Sequence, residues 1–365
     1  MRTEDDPHGL FTNGRVERVL GSGGAGGSAS NEVTAPLLHQ RFPALRETLP
    51  HLRLGSVPTP VRPLPGLSEG AAPVWVKDES VFGDGGWGGN KVRKLEWLLP
   101  DALRRGRRTI LTVGGLGTNW GLATALYARE HGVATAIALI DQPIDDHVRA
   151  QSARLEGSGA TLHFTRTKAR TIAAAPVLFA RHMAGGRPPY FVPAGGSSPI
   201  GALGYVEAAL ELAAQVREGT LPEPSHIVTA VGSGGTTAGL LLGLRLAGLR
   251  TRVVGVVVND TLRLDPPALV GLARRAQKLL RARGADLPHT DVSPDDLHLV
   301  RDWLGPAYGH ATAEGEHAQH LAAERENLTL DPVYTAKAMA ALLAMNASGR
   351  LGAGPVLYLD TNGPR

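Results

Sequence analysis

Short apolar runs rich in β-branched residues alternate with longer segments along most of this chain. The runs that predict strands are residues 74–77, 109–113, 135–140, 160–164, 226–231, 252–258 and 356–359. Many of the segments between them repeat apolar residues every three or four positions, as a helix with one buried face does. Examples are residues 120–132, 201–216 and 331–345. Strands that alternate with helices predict an α/β fold, in which helices cover both faces of parallel, twisted sheets.

The length of the chain and the order of its elements suggest where a site should lie. At 365 residues the chain exceeds the size at which one core keeps growing, so two subdomains are expected. Residues 1–40 include the stretch "GSGGAGGSAS" and predict a poorly ordered lead, with order beginning near Phe42. Parallel α/β sheets bind ligands where their strands end. The loops that follow the predicted strands are therefore the places to look for chemistry.

Composition and charge exclude several classes of function. Apolar residues make up 42% of the sequence, and cysteine is absent, which excludes disulfides and thiolate metal sites and fits a cytoplasmic protein. The histidines lack metal-ligand spacing, so no metal is expected. The net charge is +4, but the basic runs at residues 104–108 and 274–284 lack aromatic residues and predict solvated helix faces, with no nucleic-acid partner. The first residues are unlike a signal peptide, and no apolar run is long enough to cross a membrane.

The stretch "GGNKVRKLE" at residues 88–96 places cations at the start of a predicted helix. The first turn of a helix carries partial positive charge, so Lys91 should lose basicity there, beside Arg93 and Lys94. A lysine of lowered pKa is an amine nucleophile of the kind that forms a Schiff base. The alternative is a surface cation cluster on an amphipathic helix, which the stretch taken alone favours.

The stretch "VGSGGTTAGL" at residues 231–240 lies between a predicted strand and a helix. Glycines and hydroxyl residues at a helix start form a cradle of backbone N–H groups that suits a phosphate. No G-K-[ST] follows, so the stretch is not a P-loop, and Thr237 replaces the third glycine of G-x-G-x-x-G. A tight strand–helix turn is the alternative, and phosphate binding is favoured over it.

Two further loops offer polar groups at predicted helix starts. In "TVGGLGTNWG", Thr118 and Asn119 could hold a carboxylate or a phenolic oxygen, although Thr118 fits an ordinary N-cap equally well. Tyr308 lies in the glycine-flanked turn "GPAYGHA". Tyr334 is predicted in the first turn of a helix that has Pro332 early in that turn. Each tyrosine, taken alone, is more typical of core packing than of chemistry.

Four motifs, in this order and spacing, resemble one enzyme family. The motifs "GGNKVRKLEWLLPDAL", "PAGGSSPIGALGYVEAALE", "GSGGTTAGL" and "LDPVY" are similar to those of D-cysteine desulfhydrase and 1-aminocyclopropane-1-carboxylate deaminase, and the resemblance covers residues 42–363. It implies the cofactor pyridoxal 5'-phosphate (PLP), the two-domain PLP fold type II of tryptophan synthase β, and a homodimer. A small domain at residues 94–200 would insert into a large PLP-binding domain of residues 41–93 and 201–365, with the site in the cleft between them.

The resemblance also implies roles for residues at matching positions. Lys91 matches the lysine that holds PLP as an internal aldimine and moves the substrate α-proton, and Asn119 matches the asparagine at the ring hydroxyl. Thr118 stands near the substrate carboxylate, and Tyr308 and Tyr334 match active-site tyrosines. The positions implied for the cofactor are Lys91, Lys94, Asn119, Gly232, Ser233, Gly234, Gly235, Thr236 and Thr335. The positions implied for the substrate pocket are Thr118, Trp120, Gly196 and Ser197.

One position helps to choose between the members of the family. The residue after "DPVY" faces the pyridine nitrogen, and in the deaminase a glutamate there keeps that nitrogen protonated. Here it is Thr335, whose hydroxyl cannot hold a pyridinium by charge. β-Elimination has a leaving group at Cβ and needs less electron withdrawal. Thr335 therefore favours a D-cysteine desulfhydrase-like elimination, which gives pyruvate, ammonia and sulfide or a related leaving group.

Departures from the family pattern keep other substrates open. Thr118 replaces the usual serine, Trp120 replaces glutamine or histidine and should reshape the pocket or its gate, and Asn362 replaces a glycine. The alternative activities are 1-aminocyclopropane-1-carboxylate deamination and β- or γ-replacement on a larger amino acid. A PLP-binding protein without activity is opposed by the retained lysine and tyrosines. A nucleotide-binding oxidoreductase is opposed by the broken third glycine.

Overall fold

Two sheets organise the residues that this computed structural model describes, which are 35–83, 88–288 and 291–363. The strands are β1 (Val61–Pro63), β2 (Val74–Asp78), β3 (Thr109–Gly115), β4 (Ala134–Ile140), β5 (Thr161–Arg166), β6 (Tyr190–Val192), β7 (His226–Val231), β8 (Arg252–Val257), β9 (Leu297–Val300) and β10 (Val356–Asp360). The sheet orders are β1–β2–β10–β7–β8–β9 and β5–β4–β3–β6. Neighbouring strands pair in parallel, except that β1 is antiparallel to β2. The prediction of an α/β fold with parallel sheets is confirmed.

Helices pack against both sheets and cover both faces of the larger one. They are α1 (Leu37–Arg41), α2 (Leu45–Thr48), α3 (Asn90–Arg104), α4 (Asn119–Glu130), α5 (Asp146–Glu156), α6 (Lys168–Arg181), α7 (Pro199–Arg217), α8 (Gly235–Ala247), α9 (Pro266–Ala282), α10 (Ala313–Glu326) and α11 (Thr335–Ala347). Alternate residues of β10 enter two different cores. Leu357 and Leu359 pack with residues of α7, α8 and α9, whereas Val356 and Tyr358 pack with α10 and α11. This two-sided burial explains why the strands are continuous apolar runs.

Glycines bring the helices that begin at the candidate site into close contact. A Cβ atom on Gly204 of α7 would lie 2.2 Å from the backbone oxygen of Arg93 in α3. A Cβ on Gly239 of α8 would lie 2.3 Å from the oxygen of Ala202 in α7. Because such distances are shorter than van der Waals contact, only glycine allows α3, α7 and α8 to approach this closely. Their N-terminal ends are thereby held near one another.

Each predicted strand matches an observed one, with ends that differ by at most two residues. The structure adds β1, β6 and β9, which the sequence did not predict. Each of these is only three or four residues long, so apolar alternation has too few positions to produce a signal. The three strands that were missed all lie at sheet edges, β1 and β9 in the larger sheet and β6 in the smaller one. The predicted strands include all the central ones, so they were sufficient to predict the fold.

The start of the ordered chain differs from the prediction. Residues 1–34, most of the expected lead, lie outside the described residues. Helix α1, however, contains residues 37–40 of that lead, so order begins before Phe42. Leu38 is buried, and its backbone N–H donates to Glu207 Oε2 at 3.0 Å. The sequence could not show this, because the acceptor is 169 residues away.

The two sheets separate along the sequence as the domain prediction requires. The strands of the smaller sheet all lie between Thr109 and Val192, inside the predicted small domain of residues 94–200. Both sheets belong to one compact unit that begins at Ala35. The division into two domains therefore stays a prediction. In the described part of the chain, no helix has the length and apolar character needed to span a membrane.

Candidate active site

Helix α3 begins with a turn that buries two of its three cations. Gly89 precedes the helix with a φ of 95°, and a Cβ atom there would lie 2.5 Å from the oxygen of Asn362, so this position needs glycine. Arg93 and Lys94 are 0% and 1% exposed, and Lys91 is partly buried. The alternative of a surface cation cluster is therefore wrong.

Burial is the main reason why Lys91 loses basicity. It lowers the pKa of Lys91 to about 8, although the carboxylate of Asp331 acts in the opposite direction. The sequence had suggested the helix start and the neighbouring cations Arg93 and Lys94 as the cause, but burial is the larger effect. A pKa near 8 leaves an appreciable fraction of neutral amine at physiological pH, which a nucleophilic lysine needs.

Arg93 is tied into a buried ionic network that anchors α3. Its guanidinium donates to Glu79, at 2.9 Å for Oε1, and to Glu211 at 3.1 Å for both carboxylate oxygens. Lys77 Nζ donates to Glu211 Oε1 at 2.6 Å and to Gln215 Oε1 at 2.9 Å. Burial opposes the charge on Glu211, but Arg93 and Lys77 lower its pKa to about 2. The network joins α3 to β2 and α7 directly behind Lys91.

A cradle for a phosphate lies at the start of α8. Gly234 caps the helix in a left-handed conformation, with a φ of 86°. Ser197 accepts from the backbone N–H of Gly235 at 2.9 Å and donates to Ser233 Oγ at 2.8 Å. A Cβ on Gly235 would lie 2.8 Å from Ser197 Oγ and 3.1 Å from Lys94 Nζ. The backbone N–H of Gly235, the hydroxyls of Ser197 and Ser233 and the amine of Lys94 therefore lie together at a helix start, an arrangement that suits a phosphate dianion.

Lys94 completes this cradle from the opposite side. Its Nζ donates to the backbone oxygen of Gly195 at 3.0 Å, in the turn that leads into Ser197. Burial, and after it the charge of Lys91, lowers the pKa of Lys94 well below the usual range of a lysine. A bound dianion would favour the protonated form of this amine. Lys94 is thus placed to be a cation when the cradle holds an anion.

Two tyrosines meet beside the phosphate loop. The hydroxyls of Tyr308 and Tyr334 are hydrogen-bonded to each other, and their rings are 6.1 Å apart in an edge-to-face arrangement. Burial raises the pKa of both, so both are neutral. A Cβ on Gly232 would lie 2.8 Å from Tyr334 Cε1. The tyrosines therefore lie at the site, and simple core packing does not account for their paired hydroxyls.

The start of α11 differs from the prediction, because an aspartate organises it. The helix begins at Thr335, so Pro332 lies in the turn before it and not in its first turn. The carboxylate of Asp331 accepts from the N–H groups of Val333 (3.0 Å), Tyr334 (2.6 Å) and Thr335 (3.0 Å). The hydroxyl of Thr335 donates to Asp331 Oδ2 at 2.6 Å. A buried carboxylate thus stands directly behind the residue predicted to face the pyridine nitrogen.

The start of α4 places the remaining predicted residues. Thr118 is the N-cap, accepting from the N–H of Gly121 at 3.1 Å, as the alternative interpretation predicted. Asn119 follows it and accepts from Gln151 of α5. Trp120 is 3% exposed and donates to Thr112 Oγ1 at 2.7 Å. Of the two effects expected for Trp120, reshaping the pocket or its gate, this deep burial favours an effect on the pocket through packing.

Trp120 nevertheless contacts the predicted pocket. A Cβ on Gly196 would lie 2.9 Å from the indole ring. Gly196 has a φ of 70° in the turn that carries Ser197. The indole therefore fills the space beneath that turn, and it shapes the phosphate side of the site through packing.

Several residues of the site escaped the sequence analysis. Asp331 stands in the quoted motif "LDPVY", and an aspartate before proline is a recognised turn signal that could have identified it. Glu79, Glu211 and Gln151 gave no such signal. Their partners are 14, 118 and 32 residues away in sequence, so only the folded chain reveals them.

A partly neutral lysine beside a phosphate cradle defines an enzyme that holds a phosphorylated carbonyl cofactor through a Schiff base. The family model described as pyridoxal-phosphate dependent enzyme matches residues 52–361. D-cysteine desulfhydrase of Salmonella paratyphi A is 36% identical over 323 residues, which are 86% of this chain and 94% of that protein. The protein of the same name from Salmonella newport matches to the same extent.

Solved structures agree with this assignment. An ACC deaminase homologue has a TM-score of 0.74 and 30% identity, over 90% of this chain and 95% of that one. A threonine deaminase has a TM-score of 0.60 at 21% identity, over 90% and 97% of the two chains, and shares the fold. The chain belongs to the family of pyridoxal-phosphate-dependent enzymes. The implied cofactor, PLP, and the fold type II architecture are both confirmed.

Proposed function

We propose that the chain is a PLP-dependent lyase that acts on a small amino acid by D-cysteine desulfhydrase-like β-elimination. The products would be pyruvate, ammonia and sulfide or a related leaving group. The observation that carries the proposal is Lys91, an amine whose burial lowers its pKa to about 8, in the same helix turn as the cradle residue Lys94. The D-cysteine desulfhydrases at 36% identity supply the substrate class.

The cradle residues would hold the phosphate of the cofactor. Ser197, Ser233, Gly235 and Thr236 lie around the start of α8, and Lys94 Nζ approaches the same helix start. A phosphate bound there would meet hydroxyls, a helix N-terminus and an amine. Asn119 would donate to the phenolic oxygen of the ring, and Thr335 would face the pyridine nitrogen. PLP, once bound, supplies an electron-poor ring that acidifies the substrate α-carbon.

Proton movement would fall to Lys91 and the paired tyrosines. A neutral Lys91 amine is a base of suitable strength for an α-proton near neutral pH. Tyr308 and Tyr334 share one hydrogen bond between their hydroxyls, so one of the two hydroxyl protons remains available for a leaving group or for the substrate. Thr118 is held as the N-cap of α4, and its methyl group would lie beside the substrate carboxylate.

Thr335 supports elimination over the deaminase alternative. Its hydroxyl donates to Asp331 and accepts from the backbone N–H of Asp331 at 2.6 Å. A hydroxyl used in this way offers no charge of its own to a protonated pyridine. 1-Aminocyclopropane-1-carboxylate deaminase activity is the second candidate, because a solved ACC deaminase homologue is 30% identical.

We also propose a homodimer in the cytoplasm, with a small domain at residues 94–200 that closes over the site. The domain proposal rests on the four-stranded sheet inside that range. Analytical ultracentrifugation tests the dimer, and a sedimentation coefficient of a monomer at micromolar concentration would contradict it.

The experiment that tests the function offers the purified, PLP-saturated enzyme D-cysteine, L-cysteine and 1-aminocyclopropane-1-carboxylate in turn. D-Cysteine should give pyruvate and sulfide in equal amounts, and Lys91→Ala should abolish turnover and the visible absorption of bound PLP. Lys278→Ala, which removes an exposed lysine of α9, is the matched control and should leave both unchanged. If only the cyclopropane substrate is turned over, to ammonia and a four-carbon keto acid, the proposed desulfhydrase activity is wrong and the deaminase activity replaces it. Absence of turnover with all three substrates would contradict both.

A further inference from the structure

The side-chain amide of Asn119 is held by a second amide from the neighbouring helix. Gln151 of α5 is 1% exposed, and its Nε2 donates to Asn119 Oδ1. An amide oxygen that accepts leaves its own Nδ2 group on the other side. Among the residues that the structure describes, no acceptor lies within hydrogen-bond distance of Asn119 Nδ2.

The direction of this hydrogen bond is determined by an arginine. Arg154, one turn later in α5, donates from Nη1 to Gln151 Oε1 at 3.0 Å. A guanidinium has only donors, so the Gln151 atom that faces it must be the oxygen. The other end of the same amide must then be Nε2, and the Asn119 atom that meets it must be Oδ1. Each step of the series from Arg154 to Asn119 thus fixes the next.

We propose that Gln151 is a positioning residue that orients Asn119 so that its Nδ2 group donates to the phenolic oxygen of PLP. The inference rests on the proposed placement of Asn119 at the cofactor ring. Without Gln151 the side-chain amide of Asn119 could rotate by half a turn. Its oxygen would then face the phenolic oxygen of PLP and repel the phenolate. Donation stabilises the anionic oxygen, so it lowers the pH at which the visible absorption of bound PLP changes.

Gln151→Glu tests the orientation without changing the shape of the side chain. The new carboxylate still accepts from Arg154, but it offers only acceptors to Asn119. Asn119 must then turn its Nδ2 toward the carboxylate and its oxygen toward the cofactor. We expect the pH midpoint of the visible absorption to rise by about one unit and the dissociation constant of PLP to rise about tenfold, as for the loss of one charge-assisted hydrogen bond.

Two comparisons separate the positioning role of Gln151 from the proposed placement of Asn119 at the cofactor ring. Asn119→Ala alone should raise both the pH midpoint of the visible absorption and the dissociation constant of PLP. If it changes neither, Asn119 does not lie at the ring, and both its placement and the positioning role of Gln151 are wrong. In the Asn119→Ala background, Gln151→Glu should have no further effect, because its action passes through Asn119. A full effect of Gln151→Glu in that background would overturn the positioning role while leaving the site of Asn119 intact.

Charge and stability need their own controls. Ala153→Glu adds the same charge at an exposed position of α5 and should leave the midpoint unchanged; an equal rise would assign the effect to the added charge and refute the orientation. If Gln151→Glu does not fold, Gln151→Met removes the bond with little change in volume. It should raise the midpoint by a smaller amount, again only when Asn119 is present. No rise with Gln151→Met would likewise refute the proposal.

Discussion

Glu211 is predicted to be worth about 3 kcal/mol to the stability of the fold, and Glu211→Gln measures it. The carboxylate accepts from Lys77 at 2.6 Å, from Arg93 at 3.1 Å and from the N–H of Thr59 at 2.8 Å. Glutamine has the same shape but no charge. The cations Lys77 and Arg93 would then share only the charge of Glu79, which leaves one buried positive charge uncompensated.

The magnitude follows from the pKa of Glu211. The network lowers the pKa of Glu211 from 4.5 to about 2. At about 1.36 kcal/mol per pKa unit this lowering corresponds to about 3 kcal/mol, the lower end of the range of about 3–5 kcal/mol for breaking a buried ion pair. A folded-state pKa below the unfolded value stabilises the fold fully above pH 4.5, and this contribution is lost as the pH falls toward 2. By pH 3.5 about 1 kcal/mol of this stabilisation should already be lost.

Urea unfolding of the PLP-saturated enzyme at pH 7 and at pH 3.5 provides the assay. Glu211→Gln should be about 3 kcal/mol less stable than the wild type at pH 7, and the difference should shrink by about 1 kcal/mol at pH 3.5. The matched control is Glu218→Gln, the same change at an exposed position near the end of α7, which should stay within about 0.5 kcal/mol. A difference below about 1 kcal/mol at pH 7, or one that does not depend on pH, would refute the reasoning.

Three further predictions address the site. The rate at which the apoenzyme captures PLP should rise with pH around a midpoint of about 8, the pKa of Lys91, and a rate that is flat from pH 6 to 9 would contradict it. Gly235→Ala should weaken PLP binding at least about tenfold in equilibrium dialysis with the fold retained, because the new Cβ would lie 2.8 Å from Ser197 Oγ. An unchanged affinity would show that the phosphate binds at another place. Trp120→Phe should lower stability by about 2 kcal/mol in urea, because Thr112 loses a buried donor, and a smaller loss than about 0.5 kcal/mol would show that this bond contributes little.

The central strands and the glycine loops could be predicted from the sequence because their signals are local. β7 was predicted with its observed ends, since its apolar run is bounded by polar residues and followed by glycines. The glycine turn that begins α8 was predicted for the same reason, and its role as a phosphate site stays a prediction. Such features depend on residues that are neighbours in the chain.

Features that depend on distant residues could not be predicted in this way. Trp120 was expected to reshape the pocket or its gate, but the sequence could not show its contacts with Thr112 on β3 and with Gly196 in the turn before α7. The first turn of α11 was misplaced because Asp331 caps three backbone N–H groups before the helix begins. In both cases a long-range packing contact or a side-chain cap overrides the local pattern.

The three cations of α3 show how similar side chains acquire different chemistry. Arg93 meets two carboxylates and Lys94 meets the oxygen of Gly195, so each has a partner that the fold supplies. Among the described residues, Lys91 has no hydrogen-bond acceptor and feels Asp331 only through its field. The shift of its pKa from 10.5 to about 8 raises the neutral fraction at pH 7 about 300-fold, to roughly one amine in ten. The reactive amine therefore arises because the fold gives Lys91 burial without a partner. The sequence predicted the lower basicity from the helix start and the nearby cations, whereas its main cause is visible only in the folded chain.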